Sequence, residues 1–284
     1  MIASYRFLLM ASLVVFSSDL VHAQPRIECV LKPEKSVCAP GEPIVMNLRL
    51  KNRGNEKTLL YVGEDGVGAF TFEIRDNQGN VVVPASRARG AAKGISTKSS
   101  YAEVTDGGVA DFRLVLNRWC STSLPMGQYL VVCSMKSDLI APLESRAAVT
   151  IDETNIPELD ALLMRIWDMS LHDKLAENRA LAREMLCWCQ TPRSARYKMA
   201  IVLSEHLMGE STSAIEGLVS IGDLQAARYL VALAEDESLP TQVRRETVEA
   251  LYRIREMTNN QAILHATVDA VTKFERPKQR MAGD

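Results

Sequence analysis

The pattern of apolar and polar positions changes its period near Asp152. Ahead of that point the chain alternates. Ile44, Met46, Leu48 and Leu50 share one parity, while Asn47, Arg49 and Lys51 share the other. A two-residue period of this kind marks a strand with one buried face. Phe70, Phe72 and Ile74 repeat it, followed by Phe112, Leu114 and Leu116, by Tyr129 and Val131, and by Val149 and Ile151. Turn residues separate the runs at Asn52-Arg53-Gly54-Asn55, Asp76-Asn77-Gln78-Gly79 and Pro125-Met126-Gly127. Short alternating runs with regular turns between them predict an all-β sandwich.

From Pro157 the period lengthens to that of a helix. Leu159, Leu162, Leu163, Ile166 and Met169 lie at helical spacing. Ala180, Leu181, Met185 and Leu186 follow, then Ala200, Val202, Leu203 and Leu207, then Leu230, Leu233 and Ala234, then Val248, Leu251 and Ile254. Expected turns fall at Gln190-Thr191-Pro192, Gly209-Glu210-Ser211, Gly222-Asp223 and Ser238-Leu239-Pro240. A weak internal repeat aligns Ala214–Ile221 with Thr247–Ile254 at an offset of 33 residues, and Ala182–Cys189 with Ala214–Ile221 at an offset of 32. Periods in this range belong to helical solenoids, although three copies is the fewest that stack stably, and a plain bundle satisfies the same pattern.

Two resemblances follow from these residues. Gly41-Glu42-Pro43-Ile44, with the alternating run that ends at Asn52, resembles the second strand of bacterial immunoglobulin-like domains. Met126-Gly127-Gln128-Tyr129-Leu130-Val131 is similar to their late proline-glycine-x-tyrosine strand, with Met126 in place of the proline. Val243-Arg244-Arg245-Glu246-Thr247-Val248-Glu249-Ala250-Leu251 resembles the second half of a HEAT-like repeat, and Gly222-Asp223 followed by Ala226-Ala227-Leu230 resembles the next turn and helix. Together they imply an immunoglobulin-like β-sandwich over 24–152, an α-helical HEAT-like solenoid or bundle over 156–274, and a tail over 275–284. Folds of this kind host unrelated roles and imply no activity.

The N-terminus adds a compartment. Arg6 precedes the apolar run Phe7–Phe16, and Val21-His22-Ala23 supplies a small-residue cleavage pattern. This describes a signal peptide over 1–23, cut after Ala23, and the run is too short to span a bilayer core. The expected location is the periplasm or the cell exterior, with no integral membrane segment after cleavage. A net charge of −2 argues against nucleic acid as the main partner.

That location changes the meaning of the cysteines. There are six: Cys29, Cys38, Cys120, Cys133, Cys187 and Cys189. In an oxidising compartment the four in the β half are expected to pair. If the first two strands are antiparallel, Cys38 and Cys120 fall at one end of the sandwich and Cys29 and Cys133 toward the other. Topology therefore favours Cys29–Cys133 with Cys38–Cys120 as structural disulfides. Local pairing, Cys29–Cys38 with Cys120–Cys133, is the rival, and four reduced core thiols are a third possibility. Cys187 and Cys189, two apart on a helix, do not share a face, so a joint metal or redox role is disfavoured.

Chemistry is otherwise sparse. No zinc-helix, nucleophile-elbow or phosphate-loop motif is present. His172, His206 and His265 are widely separated, with no ligand pattern around them. A basic loop over 86–99 carries Arg87, Arg89, Lys93 and Lys98, and a mixed basic tail begins at Lys273; both read as solvated segments. The sequence therefore names no catalytic, cofactor-binding or metal-binding residue and no cofactor. The expected function is an exported, non-enzymatic protein-binding adaptor. A protease inhibitor acting through the sandwich loops, and a hydrolase with its site in the interdomain crevice, are the alternatives.

Overall fold

A computed structural model describes residues 26–62, 68–86, 101–135, 142–204 and 208–280. The expected signal, most of the basic loop after Ser86, and His206 and Leu207 lie outside the described residues. The chain is β-rich in its first half and helical in its second, which holds seven α-helices among the described residues.

The strands are β1 (Ile27–Pro33), β2 (Val37–Cys38), β3 (Val45–Asn52), β4 (Thr58–Tyr61), β5 (Phe70–Asp76), β6 (Val81–Ser86), β7 (Tyr101–Val104), β8 (Val109–Val115), β9 (Gly127–Met135) and β10 (Leu143–Ile151). They form a three-stranded sheet, β1-β3-β8, a five-stranded sheet, β2-β10-β9-β5-β6, and a two-stranded ribbon, β4-β7. All pairings are antiparallel except β2 with β10. The open sheets and their shared core are consistent with a β-sandwich.

Alternation explains which side chains meet. Met46, Leu48 and Leu50 from β3 enter one core with Phe70, Phe72 and Ile74 from β5 and Tyr129, Val131, Cys133 and Met135 from β9. Trp119 packs edge-on against Phe72, with ring centroids 4.6 Å apart. Strands β4 and β7 were not foreseen, because Leu59 and Tyr61 on β4 and Tyr101 on β7 face outward and hide the period. Asn52 closes the turn after β3: it is fully buried, its amide donates to Glu56 O (2.6 Å) and Val104 O (3.2 Å), and its Oδ1 accepts from Gly54 N (2.9 Å). The Tyr129 hydroxyl donates to Pro125 O (2.8 Å), locking the corner that leads into β9.

The helices are α1 (Leu159–His172), α2 (Ala176–Trp188), α3 (Ala195–Leu203), α4 (Met208–Ile221), α5 (Leu224–Glu235), α6 (Thr241–Met257) and α7 (Gln261–Arg280). They pair as α1 on α2, α3 on α4 and α5 on α6. Helices α2, α4 and α6 lie side by side in one row, and α3, α5 and α7 neighbour one another in a second. The aligned segments 182–189, 214–221 and 247–254 therefore fall on the three adjacent helices α2, α4 and α6. Polar bonds join the same row: Arg183 to Glu210 (2.8 Å), Arg253 to Glu216 (2.7 Å) and Thr212 to Glu246 (2.8 Å).

The helices differ from expectation in four places. Gly209-Glu210-Ser211 is no turn but the start of α4. The break between α1 and α2, at Asp173-Lys174-Leu175, carries neither glycine nor proline; Asp173 Oδ1 makes the turn by accepting from Leu175 N (2.8 Å) and Asn178 Nδ2 (3.2 Å). Helix α7 continues through residues expected to fray, as far as Arg280. The buried stripe of α3 also differs: Ala195, Tyr197, Lys198, Ile201 and Val202 are buried, while Leu203 is exposed.

Gly217 on α4 sets the spacing of the even row. A Cβ there would sit 1.8 Å from Cys187 O and 2.6 Å from Lys198 Cε. The first of these is backbone and cannot swing away. Gly217→Ala is therefore expected to destabilise the chain by roughly 1–3 kcal/mol, the usual cost of overpacking, or more. Denaturant unfolding measures it, and a midpoint equal to that of the wild type would refute the close-approach account.

Candidate functional site

Two places gather polar chemistry among the described residues: the junction between the halves, and a depression on the helical half. The junction is built from the segment that leaves α2. Gln190 N donates to Gly41 O (2.8 Å), and Gln190 Nε2 donates to Cys120 O (2.9 Å). The Cys189 thiol also donates to Gly41 O (3.2 Å). Gly41 has φ +75°, and a Cβ there would lie 2.8 Å from the Gln190 carbonyl carbon, so both conformation and contact demand glycine.

Beneath Gly41 the sandwich corner is tied internally. The buried Glu42 carboxylate accepts from Lys35 Nζ (2.9 Å) and Ala39 N (2.7 Å). Asn117 donates to Glu42 O (3.0 Å) and accepts from Ile44 N (2.7 Å). Val115, of opposite parity to Leu114, leaves the sandwich core and joins the helical one. Arg118 approaches Glu184 of α2 at 3.6 Å.

Lys198 lies on the helical side of this junction, with no exposed surface. Its ammonium donates to Leu186 O (2.8 Å), Cys189 O (2.5 Å) and Ser194 Oγ (2.7 Å), which uses all three of its protons. Leu186 O belongs to the C-terminal turn of α2 and Cys189 is its capping residue. That end of a helix leaves carbonyls without intrahelical partners and favours a cation. Burial nevertheless pulls the Lys198 pKa down to about 8. Burial also pushes the neighbouring Cys187 thiol up to about 12 and raises that of Cys189. At neutral pH both stay protonated, a form that is a poor nucleophile and a poor metal ligand.

The depression is an open hollow of ≈ 370 Å³ lined by Asp160, Pro192, Arg193, Arg196, Gln225 and Tyr229. These residues come from α1, from the turn and first residues of α3, and from α5. Arg193 pairs with Asp160 across the gap. Arg196 lies over the Tyr197 ring, 4.8 Å from its centroid, and donates to the Tyr197 hydroxyl (2.9 Å). Trp167 of α1 packs on Tyr197, with ring centroids 5.6 Å apart. The hollow thus presents the guanidinium groups of Arg193 and Arg196 and the phenol of Tyr229, residue types common at protein contacts.

The structure carries all six cysteines as thiols. Cys38 and Cys120 flank the junction corner, where their thiols donate to Lys35 O (3.6 Å) and Leu116 O (3.8 Å). Cys29 on β1 and Cys133 on β9 belong to the core further up the sandwich. His172 ends α1, 4.0 Å from Asp168, and His265 is exposed on α7. Three features escaped the sequence reading. Lys198 had a signal: it stands on the apolar stripe of Ala195, Ile201 and Val202, where a lysine needs buried acceptors. The docking of Gly41 on Gln190, and the assembly of the hollow from three helices, had none.

No family model matches the chain, and no curated protein does. Solved structures that resemble part of it include a CARDB domain of a Pyrococcus furiosus protein in complex with di-metal ions. It is 12% identical, covers 45% of this chain and 93% of that chain, and has a TM-score of 0.25. A Paenibacillus cycloisomaltooligosaccharide glucanotransferase is 14% identical, with coverage of 51% and 19% and a TM-score of 0.27. A β-glucosidase from Erythrobacter marinus is 13% identical, with coverage of 44% and 16% and a TM-score of 0.25. The match spans less than a fifth of either enzyme.

The lysine generates a pH test. Its folded pKa, about 8, lies below its ordinary value of 10.5. Below about pH 8 both folded and unfolded chains hold the proton, and the cost of burying the charge is present in full. Between about 8 and 10.5 the unfolded chain keeps a proton that the folded chain releases, so stability rises with pH. Relative to Lys198→Met, in which the nearby thiols are unchanged, the wild type is expected to gain on the order of 3 kcal/mol across that window. Urea unfolding at stepped pH reads the difference, and a flat or falling one would refute the assignment.

Proposed function

We propose that this chain is an exported, non-enzymatic adaptor that binds a protein partner through its helical half. The observation that carries the proposal is the hollow spanning α1, α3 and α5, which are the first helices of three successive pairs. The two rows of paired helices, with the repeating segments aligned on α2, α4 and α6, support a short HEAT-like array. Arrays of this kind present extended surfaces to protein partners. Arg193, Arg196 and Tyr229 are of the residue types that dominate binding energy at such surfaces, and the two arginines favour a partner segment bearing carboxylates.

In this reading the β half is an immunoglobulin-like module that anchors the array. The Tyr129 hydroxyl bonded to Pro125 O is a corner device of such sandwiches, and β1 and β2 pair with opposite sheets as one split first strand. The signal-like start over 1–23 supports export. The inhibitor alternative finds less support: Gln190 docks on Gly41 and on Cys120 O, at the corner beside Cys38 and Cys120. For the hydrolase alternative, the buried carboxylate at the junction, Glu42, is already engaged by Lys35 and Ala39 N.

Capture from a native envelope fraction tests the proposal. The tagged mature chain is expected to retain one protein at near-stoichiometric level, and Arg193→Glu with Arg196→Glu is expected to lose it by at least tenfold, since two exposed hollow residues are reversed in charge. Recovery of no partner, or equal recovery by the variant, would sink the assignment of the hollow.

A further inference from the structure

We propose that Cys29 and Cys133 form a disulfide that joins the two sheets of the β half. Cys29 lies on β1, at the edge of the three-stranded sheet, opposite Leu50 of β3. Cys133 lies on β9 of the five-stranded sheet, opposite Ser145 of β10 and Phe72 of β5. The two sheets close on each other where β1 meets β10. There Leu31 N donates to Ser145 Oγ (2.9 Å), so the Ser145 side chain faces β1. Directly opposed residues of an antiparallel pair point to the same face of the sheet. Cys133 therefore faces β1 beside Ser145, and Cys29 shares the parity of Leu31. Cys133 lies in the core and Cys29 packs against it. The proximity also registers electrostatically: after burial, Cys29 is the second influence that raises the Cys133 thiol.

The same register argues against the rival pairings. Cys38 stands opposite Ile151 of β10, six residues beyond the Ser145 that faces Cys133. At about 3.3 Å per residue the two levels are roughly 20 Å apart along the strand. A disulfide needs Cα atoms within about 7 Å. Cys38 is thus out of reach of Cys133. Because β1 reaches Ser145 through Leu31 before the chain arrives at Cys38, it is out of reach of Cys29 as well.

The bridge forms by thiol–disulfide exchange with a small disulfide such as oxidised glutathione. Cys29, the less buried thiol, is pushed by burial to about 11, so it reacts while the sandwich is still open. Its thiolate attacks one glutathione sulfur, a mixed disulfide forms and one glutathione thiolate leaves. The Cys133 thiolate then attacks the Cys29 sulfur, the protein disulfide forms and the second glutathione thiolate leaves. The two protons given up by the protein thiols end on the two glutathiones, and two electrons pass from the protein sulfurs to the glutathione disulfide.

The pairing stands apart from the identity of any partner. It rests on the proposed export only for where the bridge persists. The reduced full chain is unfolded in urea and diluted into a mixed reduced and oxidised glutathione buffer. Remaining thiols are alkylated, and the product is digested without reduction. The expected result is a linked pair of peptides holding Cys29 and Cys133, with Cys187 and Cys189 alkylated after denaturation. The linked form is expected to unfold at a higher urea concentration than the same protein reduced, and Cys29→Ala to show no such gain. Alkyl label on both Cys29 and Cys133 in the refolded product, or Cys29 linked to any other cysteine, would overturn the proposal. Linkage in glutathione buffer together with free thiols in the cell-derived protein would count for the pairing and against export.

Discussion

The buried ammonium of Lys198 is the constraint on which the junction depends. It gathers the last carbonyls of α2 and the Ser194 hydroxyl into one knot, and so holds the segment from Cys189 to Ser194 in a single shape. That shape puts Gln190 and Cys189 against Gly41. Removing a charged group from water is costly, which is why the lysine pKa falls; three acceptors in place of water make the cost tolerable. A buried cation tied this way is strict about geometry, since losing any acceptor leaves a charge only partly solvated.

From this knot the packing runs in two directions. Toward the sandwich, Gly41 admits the backbone of Gln190, while Glu42 and Asn117 brace the corner from behind. Toward the helices, Gly217 lets α4 close on Cys187 and on the stem of Lys198. Two residues without side chains thus stand on either side of one long buried side chain. Val115 completes the arrangement by serving the helical core from a strand of the sandwich. The two halves share packed surface and are not merely tethered.

The hollow on the helical half owes its form to the same segment. Pro192 and Arg193 lie within the knotted segment, and Arg196 stands two residues before Lys198 in the first turn of α3. The residues that meet a partner in our proposal are therefore positioned by the junction. This ties binding by the helices to the presence of the sandwich, and it gives the β half a physical role as support.

Sequence alone determined the order of the halves, the place of the break and most of the strands and helices, because each buries one face and the periods of two and of about 3.6 survive in the chain. It also placed the repeating segments on helices that prove to be neighbours. It missed β4 and β7, where apolar residues face outward, and the α1–α2 turn, which Asp173 makes without glycine or proline. Contacts between distant segments were beyond its reach. That Lys198 would find Leu186 and Cys189 carbonyls, that Gly41 would receive Gln190, and that Asp160, Arg193 and Tyr229 would line one hollow were decided by the tertiary structure. Periodicity records which face of an element is buried, but not which partner buries it; only the packing of whole elements against one another supplies the partner.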